Sequence, residues 1–313
     1  MRLSVARPLT IAACVAPLLF VNASTLTGQE ASSSAPAASN AAADVTLLDA
    51  GAAPRRTLRY TFTKGASETL SMRQQMGMAI EVNGMAMPSQ PIPATLMTLK
   101  LDVADVTASG AADVRAEIVQ VDVDTVGANP MLLAPLRDAL APMRGVVVSY
   151  RVAPNGQVEQ VSLSENAPAG TPVAQALGST EQLSVAFPAE PVGLGARWKA
   201  TRTVQQNGVT IQQSMEYTVA SLAADSVVLD LAVVQQAAEQ TFAVPGAPPG
   251  TEATLRSLDG RGTSSVVIHF ARVQPQLTMS LKAVMAMDLT VGAESATMNQ
   301  TMTMDLKTVS SPR

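Results

Sequence analysis

The run Leu277-Thr278-Met279-Ser280-Leu281-Lys282-Ala283-Val284-Met285-Ala286-Met287-Asp288-Leu289-Thr290-Val291 places an apolar residue at every odd position, with mostly polar or small residues between them. A period of two sustained over such a length predicts a β-strand with one face buried and one in water, because successive side chains of an extended chain point to opposite sides. A few residues on, Met298, Met302, Met304 and Leu306 repeat the pattern against Asn299, Thr301, Thr303, Asp305 and Lys307. Half-wet strands belong to antiparallel sheets, so the two segments predict a hairpin, with Val291-Gly292 as a weak turn signal.

Working outward, the same alternation recurs. Leu58, Tyr60 and Phe62 face away from Arg59 and Thr61. Met72, Met76, Met78, Ile80 and Val82 share one face, as do Met97, Leu99, Leu101 and Val103, and again Val209, Ile211, Met215, Tyr217 and Val219. Asn83-Gly84, Asn155-Gly156 and Asn207-Gly208 lie between such segments and accept the positive φ angles of tight hairpins. The count comes to about a dozen strands, some on the order of 50 Å long. Strands that long must twist and coil. The expected fold is therefore mainly β: a long curved antiparallel sheet or incomplete barrel, with about two covering helices. The helices are expected at 131–143, where Leu132, Leu136, Leu140 and Met143 take helical spacing, and at 172–183, where Thr171-Pro172 offers a cap and a first-turn proline.

The first residues bear on compartment. Met1 to Arg7 carries two arginines and no acid, Pro8 to Val21 is apolar, and Val21-Asn22-Ala23 leaves small residues where a signal peptidase cuts. Residues 1–23 thus read as a signal peptide, and the chain as exported, periplasmic or secreted. Ile11-Ala12-Ala13-Cys14 offers a rival lipoprotein-type cut, although the hydrophobic run continues past the cysteine. Cleavage after Ala23 removes the one cysteine of the chain, so the mature protein has no disulfide. Residues 24–44, rich in Ser and Ala, read as a flexible tether. Residues 45–313 form one β domain, organised as two related halves at 57–187 and 191–309 that each restart a hairpin pattern. Loss of Arg2 and Arg7 takes the formal charge from −4 to −6. Mild acidity of this kind argues against nucleic acid and against charge-driven binding to anionic membranes. Membrane contact is then expected only through an uncleaved signal or a lipid on Cys14.

Three segments resemble an uncharacterised family of exported bacterial proteins, a domain of unknown function. They are Leu58-Arg59-Tyr60-Thr61-Phe62 with Lys64-Gly65, the stretch from Gly145 to Val158, and Phe187-Pro188-Ala189-Glu190-Pro191-Val192-Gly193-Leu194-Gly195-Ala196-Arg197-Trp198. The general look is similar to periplasmic lipoprotein-carrier folds, in which a curved, incomplete barrel holds an acyl chain. That resemblance implies a fold and supplies no catalytic residues.

Sites of chemistry are sparse, and the expectation is a non-enzyme without a cofactor. His269, the one histidine, falls on the wet face of its strand between Ile268 and Phe270. No Gly-x-Ser-x-Gly elbow is present. Asp122 and Asp124 alternate with Val121 and Val123 as the polar face of a strand. Gly193-Leu194-Gly195 is followed by a strand where a phosphate loop needs a helix. What stands out is methionine, with 16 in the chain against 3% aromatics. Met side chains repack cheaply around different shapes. The preferred function is binding of an apolar ligand, a lipid or acyl chain, on a Met-rich concave face lined by Met279, Met285, Met287, Met298, Met302, Met304, Met76 and Met78. The alternatives are a structural or interaction module of the envelope with an ordinary Met-rich core, and Cu(I) handling through Met76-Gly77-Met78, Met85-Ala86-Met87, Met285-Ala286-Met287 and Met302-Thr303-Met304, since thioether sulfur is a soft ligand.

Overall fold

The structure, a computed structural model, describes residues 43–89, 91–126, 129–164, 185–206, 208–242, 251–291 and 294–312. The expected signal peptide at 1–23, nearly all of the expected tether at 24–44 and the helix expected at 172–183 lie outside the described residues. Fourteen strands form one antiparallel sheet that does not close. They are β1 (Asp44–Asp49), β2 (Ser67–Val82), β3 (Met85–Ala86), β4 (Thr95–Val106), β5 (Ala112–Val123), β6 (Val147–Val152), β7 (Val158–Leu163), β8 (Arg197–Gln206), β9 (Val209–Leu222), β10 (Ser226–Ala237), β11 (Gln240–Phe242), β12 (Thr251–His269), β13 (Gln276–Val291) and β14 (Glu294–Pro312). Their order across the sheet is β1-β8-β9-β10-β12-β13-β14-β2-β4-β5-β6-β7, with β11 on β12 and β3 on β2 beside this path.

The order follows from hairpin chemistry. Strands β4 to β7 and β8 to β13 are successive meanders, each strand pairing with its sequence neighbour or, at β10 and β12, flanking a short β11. The last strand, β14, joins the two wings by pairing with β13 on one side and β2 on the other. At the β2–β3 turn Asn83 and Gly84 both take positive φ, 50° and 78°, as a tight hairpin with right-handed twist demands. The expected hairpin of the late strands is present, with Met287 opposite Met298 and Leu281 opposite Met304.

The sheet curls over its apolar face. Buried residues of β4, β5 and β6 share one cluster with those of β8, β9, β10 and β12, strands far away in the sheet order. This cluster fills one end, hereafter the base, where the 270–275 and 153–157 turns lie. A second, smaller cluster occupies the opposite end, the rim, and takes in Val209, Ile211, Phe242, Leu255, Met285, Met287 and Met298.

The segment around Leu58–Phe62 departs from expectation. Its alternation holds, since Leu58, Tyr60 and Phe62 are buried while Arg59 and Thr61 are not. Yet it is no strand of the sheet. It crosses the base as extended chain, and its amides bond to turns: Tyr60 N–H donates to the Pro154 carbonyl at 2.8 Å and Thr61 N–H to that of Phe270 at 2.7 Å. Period two reports an extended chain with two unlike sides, and a base plug meets that description as well as a strand does. Gly156 makes the plug possible, because a Cβ there would run into the Val185 carbonyl and the Tyr60 ring.

Among the described residues there is a single helix, α1 (Pro130–Leu140), continued by a 3-10 turn over Ala141–Met143. The Asn129 side chain accepts the Met131 N–H at 3.1 Å, and Pro130 takes the first position, where its missing N–H is harmless. The helix packs on β5 and Arg137 pairs with Asp122 at 2.9 Å. Met143 is buried, Leu132, Leu136 and Leu140 are half-buried, and Met131 is 82% exposed.

Candidate functional site

The inner face divides the eight methionines expected to line a site. Met285, Met287 and Met298 are sealed inside the rim cluster, at 4%, 0% and 1% exposure. Met279, Met302, Met76, Met78 and Met304 are half-buried. Met279 packs against the base cluster and Met302 against the rim cluster, while Met76, Met78 and Met304 belong to neither. A band of thioethers therefore crosses the middle of β13, β14 and β2, between two closed cores. Strand β4 begins opposite Gln74, which leaves the upper half of β2 without that neighbour. There Gln75 Nε2 donates to the Ile92 carbonyl at 2.5 Å.

Registers bring four of these side chains together. Met302 lies opposite Met78, and Met304 opposite Met76. Two glutamines flank them. Gln300 Nε2 donates to Met78 Sδ at 3.1 Å, and Gln74 Nε2 to Met304 Sδ at 3.3 Å. Sequence reasoning passed over both glutamines, although the signal was there: each is a polar residue at an inward position of an otherwise apolar face. Gln300 is 2% exposed, so its amide must find partners inside. Met72 and Met97, likewise half-buried and directly paired across β2 and β4, extend the band toward the base.

The Met-x-Met pair Met85-Ala86-Met87 is not in this band. It follows the β2–β3 turn, and its methionines are 70% and 41% exposed. A groove of about 660 Å³ is bordered mostly by outward residues, including Glu216, Asp230, Thr263, Ser280, Asp305 and Lys307, and Met279 and Leu306 also line it. No period or motif marks it, because hydroxyls and charges at outward positions are what any wet strand face shows.

The base holds a buried polar set that sequence reasoning also missed. Glu68, 4% exposed, accepts the Val273 N–H at 2.7 Å. Burial pushes its carboxyl above the ordinary value, with the Val273 amide, Arg272 and the Gln274 amide pulling the other way. Gln274 Nε2 donates to the Tyr150 hydroxyl at 3.0 Å, and burial raises that phenol. Tyr217 is pushed up to about 12 by burial. These groups sit among aromatic rings with their polar atoms turned into protein, an arrangement that braces the base. Asp122 and Asp124 are engaged by Arg137 and Arg73, and the guanidinium of Arg137 holds Asp122 below the usual carboxylate range. His269 ends β12 and is half-buried. Among the described residues no three of His, Cys, Asp or Glu are grouped to hold a metal ion, and no helix is long and apolar enough to cross a membrane.

The segments that carry the family resemblance turn out to build the base. Phe187 packs tilted against Tyr60 at 5.1 Å between centroids, Trp198 stacks on Tyr217 at 5.3 Å, and Trp198 Nε1 donates to the Ala186 carbonyl at 3.0 Å. No family model matches the chain, and no curated protein matches it.

Proposed function

We propose that the chain is an exported, non-enzymatic protein that holds an apolar guest, such as an acyl chain, against its Met-rich inner face. The observation that carries this reading is the half-burial of Met76, Met78, Met279, Met302 and Met304 in a band between two sealed clusters. Apolar surface left uncovered inside a curved sheet gains roughly 25 cal/mol per Å² when something apolar covers it. Thioether side chains adapt to guests of different shape, which suits a flexible chain. Titration of the delipidated protein with a fluorescent fatty acid tests the reading. Saturable binding that Met302→Lys abolishes without changing the circular dichroism supports it, and no binding at micromolar protein refutes it.

A second reading, an interaction module of the cell envelope, draws on a different observation. Among the described residues strand β7 ends the sheet order, and Val161 and Leu163 on it are 39% and 41% exposed. An open edge of this kind accepts a further strand. Complexes that survive Met302→Lys but vanish with a proline at Val161 favour this reading over the first.

A further inference from the structure

We propose that Met76, Met78, Met302 and Met304 form a soft-metal site for one monovalent cation, Cu(I) or its redox-inert surrogate Ag(I). The inference goes beyond the apolar-guest reading and stands or falls separately from it. It begins with a repeat. Gln74-Gln75-Met76-Gly77-Met78 in β2 and Gln300-Thr301-Met302-Thr303-Met304 in β14 both read Gln-x-Met-x-Met. The two copies run antiparallel on neighbouring strands, in a register that sets Met78 opposite Met302 and Met76 opposite Met304. The glutamine of each copy donates its amide to the last methionine of the other, Gln300 to Met78 at 3.1 Å and Gln74 to Met304 at 3.3 Å. The arrangement has the symmetry of a local two-fold axis between the strands, and the four methionines occupy the register positions on either side of it.

The geometry fits a single ion. Cβ atoms directly opposite across an antiparallel pair lie about 5 Å apart, and inward neighbours along one strand lie about 7 Å apart. Four Met side chains on such a rectangle, each with three rotatable bonds, can turn their sulfurs to one point. All four are half-buried, so an ion can reach them and still be largely withdrawn from water. Neutral thioethers do not offset the charge of a hard divalent ion, and soft sulfur selects Cu(I) over Zn²⁺ or Mg²⁺. Each amide occupies one lone pair of its sulfur and leaves the other free. In this way the glutamines orient ligands as second-shell groups do elsewhere. A row made only to be apolar has no use for the paired glutamines, one of which is 2% exposed.

The test uses the full chain carrying Cys14→Ser, so that no thiol competes. Anaerobic Cu(I) is titrated in competition with a chromophoric Cu(I) chelator, and Ag(I) is followed by the methyl resonances of ¹³C-methyl methionine. We expect one equivalent to bind and four methyl signals to move together while that of buried Met287 stays. Replacing the four methionines by Leu should weaken binding at least about 100-fold, and Gln74→Leu with Gln300→Leu about 10-fold, with the circular dichroism unchanged. The fatty-acid titration of the metal-free chain with all four methionines in place is read separately, so failure of metal binding and failure of fatty-acid binding are distinguishable. No stoichiometric binding, or binding that survives the quadruple replacement, overturns the proposal.

Discussion

The base and the middle of one and the same sheet are filled in opposite ways. At the base six rings, Tyr60, Phe62, Phe187, Trp198, Tyr217 and Phe270, touch in an unbroken chain, with centroid separations from 5.1 to 6.4 Å. Arg56 closes it, its guanidinium 5.1 Å from the Phe270 ring and bonded to the Ala224 carbonyl at 2.8 Å. Trp198 and Tyr217 are 0% and 1% exposed. In the middle, strands β2, β13 and β14, which carry none of these rings, present thioethers that are half-buried. Backbone pairing runs unbroken along β13, β14 and β2, whereas Tyr60, Phe62, Phe187 and Phe270 lie on segments outside the strands, so the two regions differ in backbone as well as in side chains. Rigid rings with stacked geometry fix a single packing, whereas Met rows tolerate several. The scarce aromatics of this chain are concentrated where the curl must be locked, and methionine fills the region left open.

The largest effect tests the sealed rim against the open middle. Met287→Asp puts a charge at a 0% exposed position, and urea unfolding should show a loss of about 5 kcal/mol or no folded protein at all. Next, Trp198→Ala should cost about 4 kcal/mol by the same measurement, since it empties a fully buried site and removes the ring that links Tyr217 to Phe187. By contrast Met302→Leu, which conserves volume at a half-buried position, should cost under about 1 kcal/mol. Equal losses from the last two would erase the distinction between locked base and adaptable middle.

A subtler test lies in pH. The folded carboxyl of Glu68 titrates above its ordinary value of 4.5 because burial disfavours its charge. The folded state therefore holds that proton more tightly than the unfolded chain. Its contribution is fully present below pH 4.5 and is lost as pH rises through the folded value. Glu68→Gln should flatten this part of the stability profile, read as urea midpoints from about pH 4 to 8. The half-buried Asp122 and Asp124 are lowered instead, so what they contribute is lost only as pH falls below the ordinary 3.8, outside the Glu68 window. Smallest of all, Asp288→Ala, which removes the partner of Arg256 on the wet face, should move the urea midpoint by less than about 0.5 kcal/mol.

Much of this was legible in the chain. The odd positions of 277–291 and the even positions of 298–306 point inward as their alternation says, and the register pairs Met287 with Met298. That Met76 and Met78 would meet Met304 and Met302 was not legible, because period two assigns a face and says nothing about which strand lies alongside. The base plug was misread for the same reason: Leu58, Tyr60 and Phe62 alternate, but their partners are turns some 90 to 210 residues away, at Pro154 and Phe270. Gln300 was overlooked because one polar residue in an apolar row looks like noise until a sulfur is found 3.1 Å from its amide.

The position of β14 has a consequence for how the molecule comes into being. It pairs with β13, its neighbour in sequence, and with β2, more than 200 residues earlier, with Pro312 opposite Glu68. Until residues 294–312 are available, a chain emerging from the ribosome or across a membrane has two separate wings whose facing edges, β13 and β2, are bare. Local hairpins form early in each wing, but the ring closure that unites them spans most of the sequence and is slow. The last segment to arrive thus sets when the chain stops being a pair of sticky half-sheets. A brief delay before it docks leaves a window in which the bare edges of one copy can be caught by those of another.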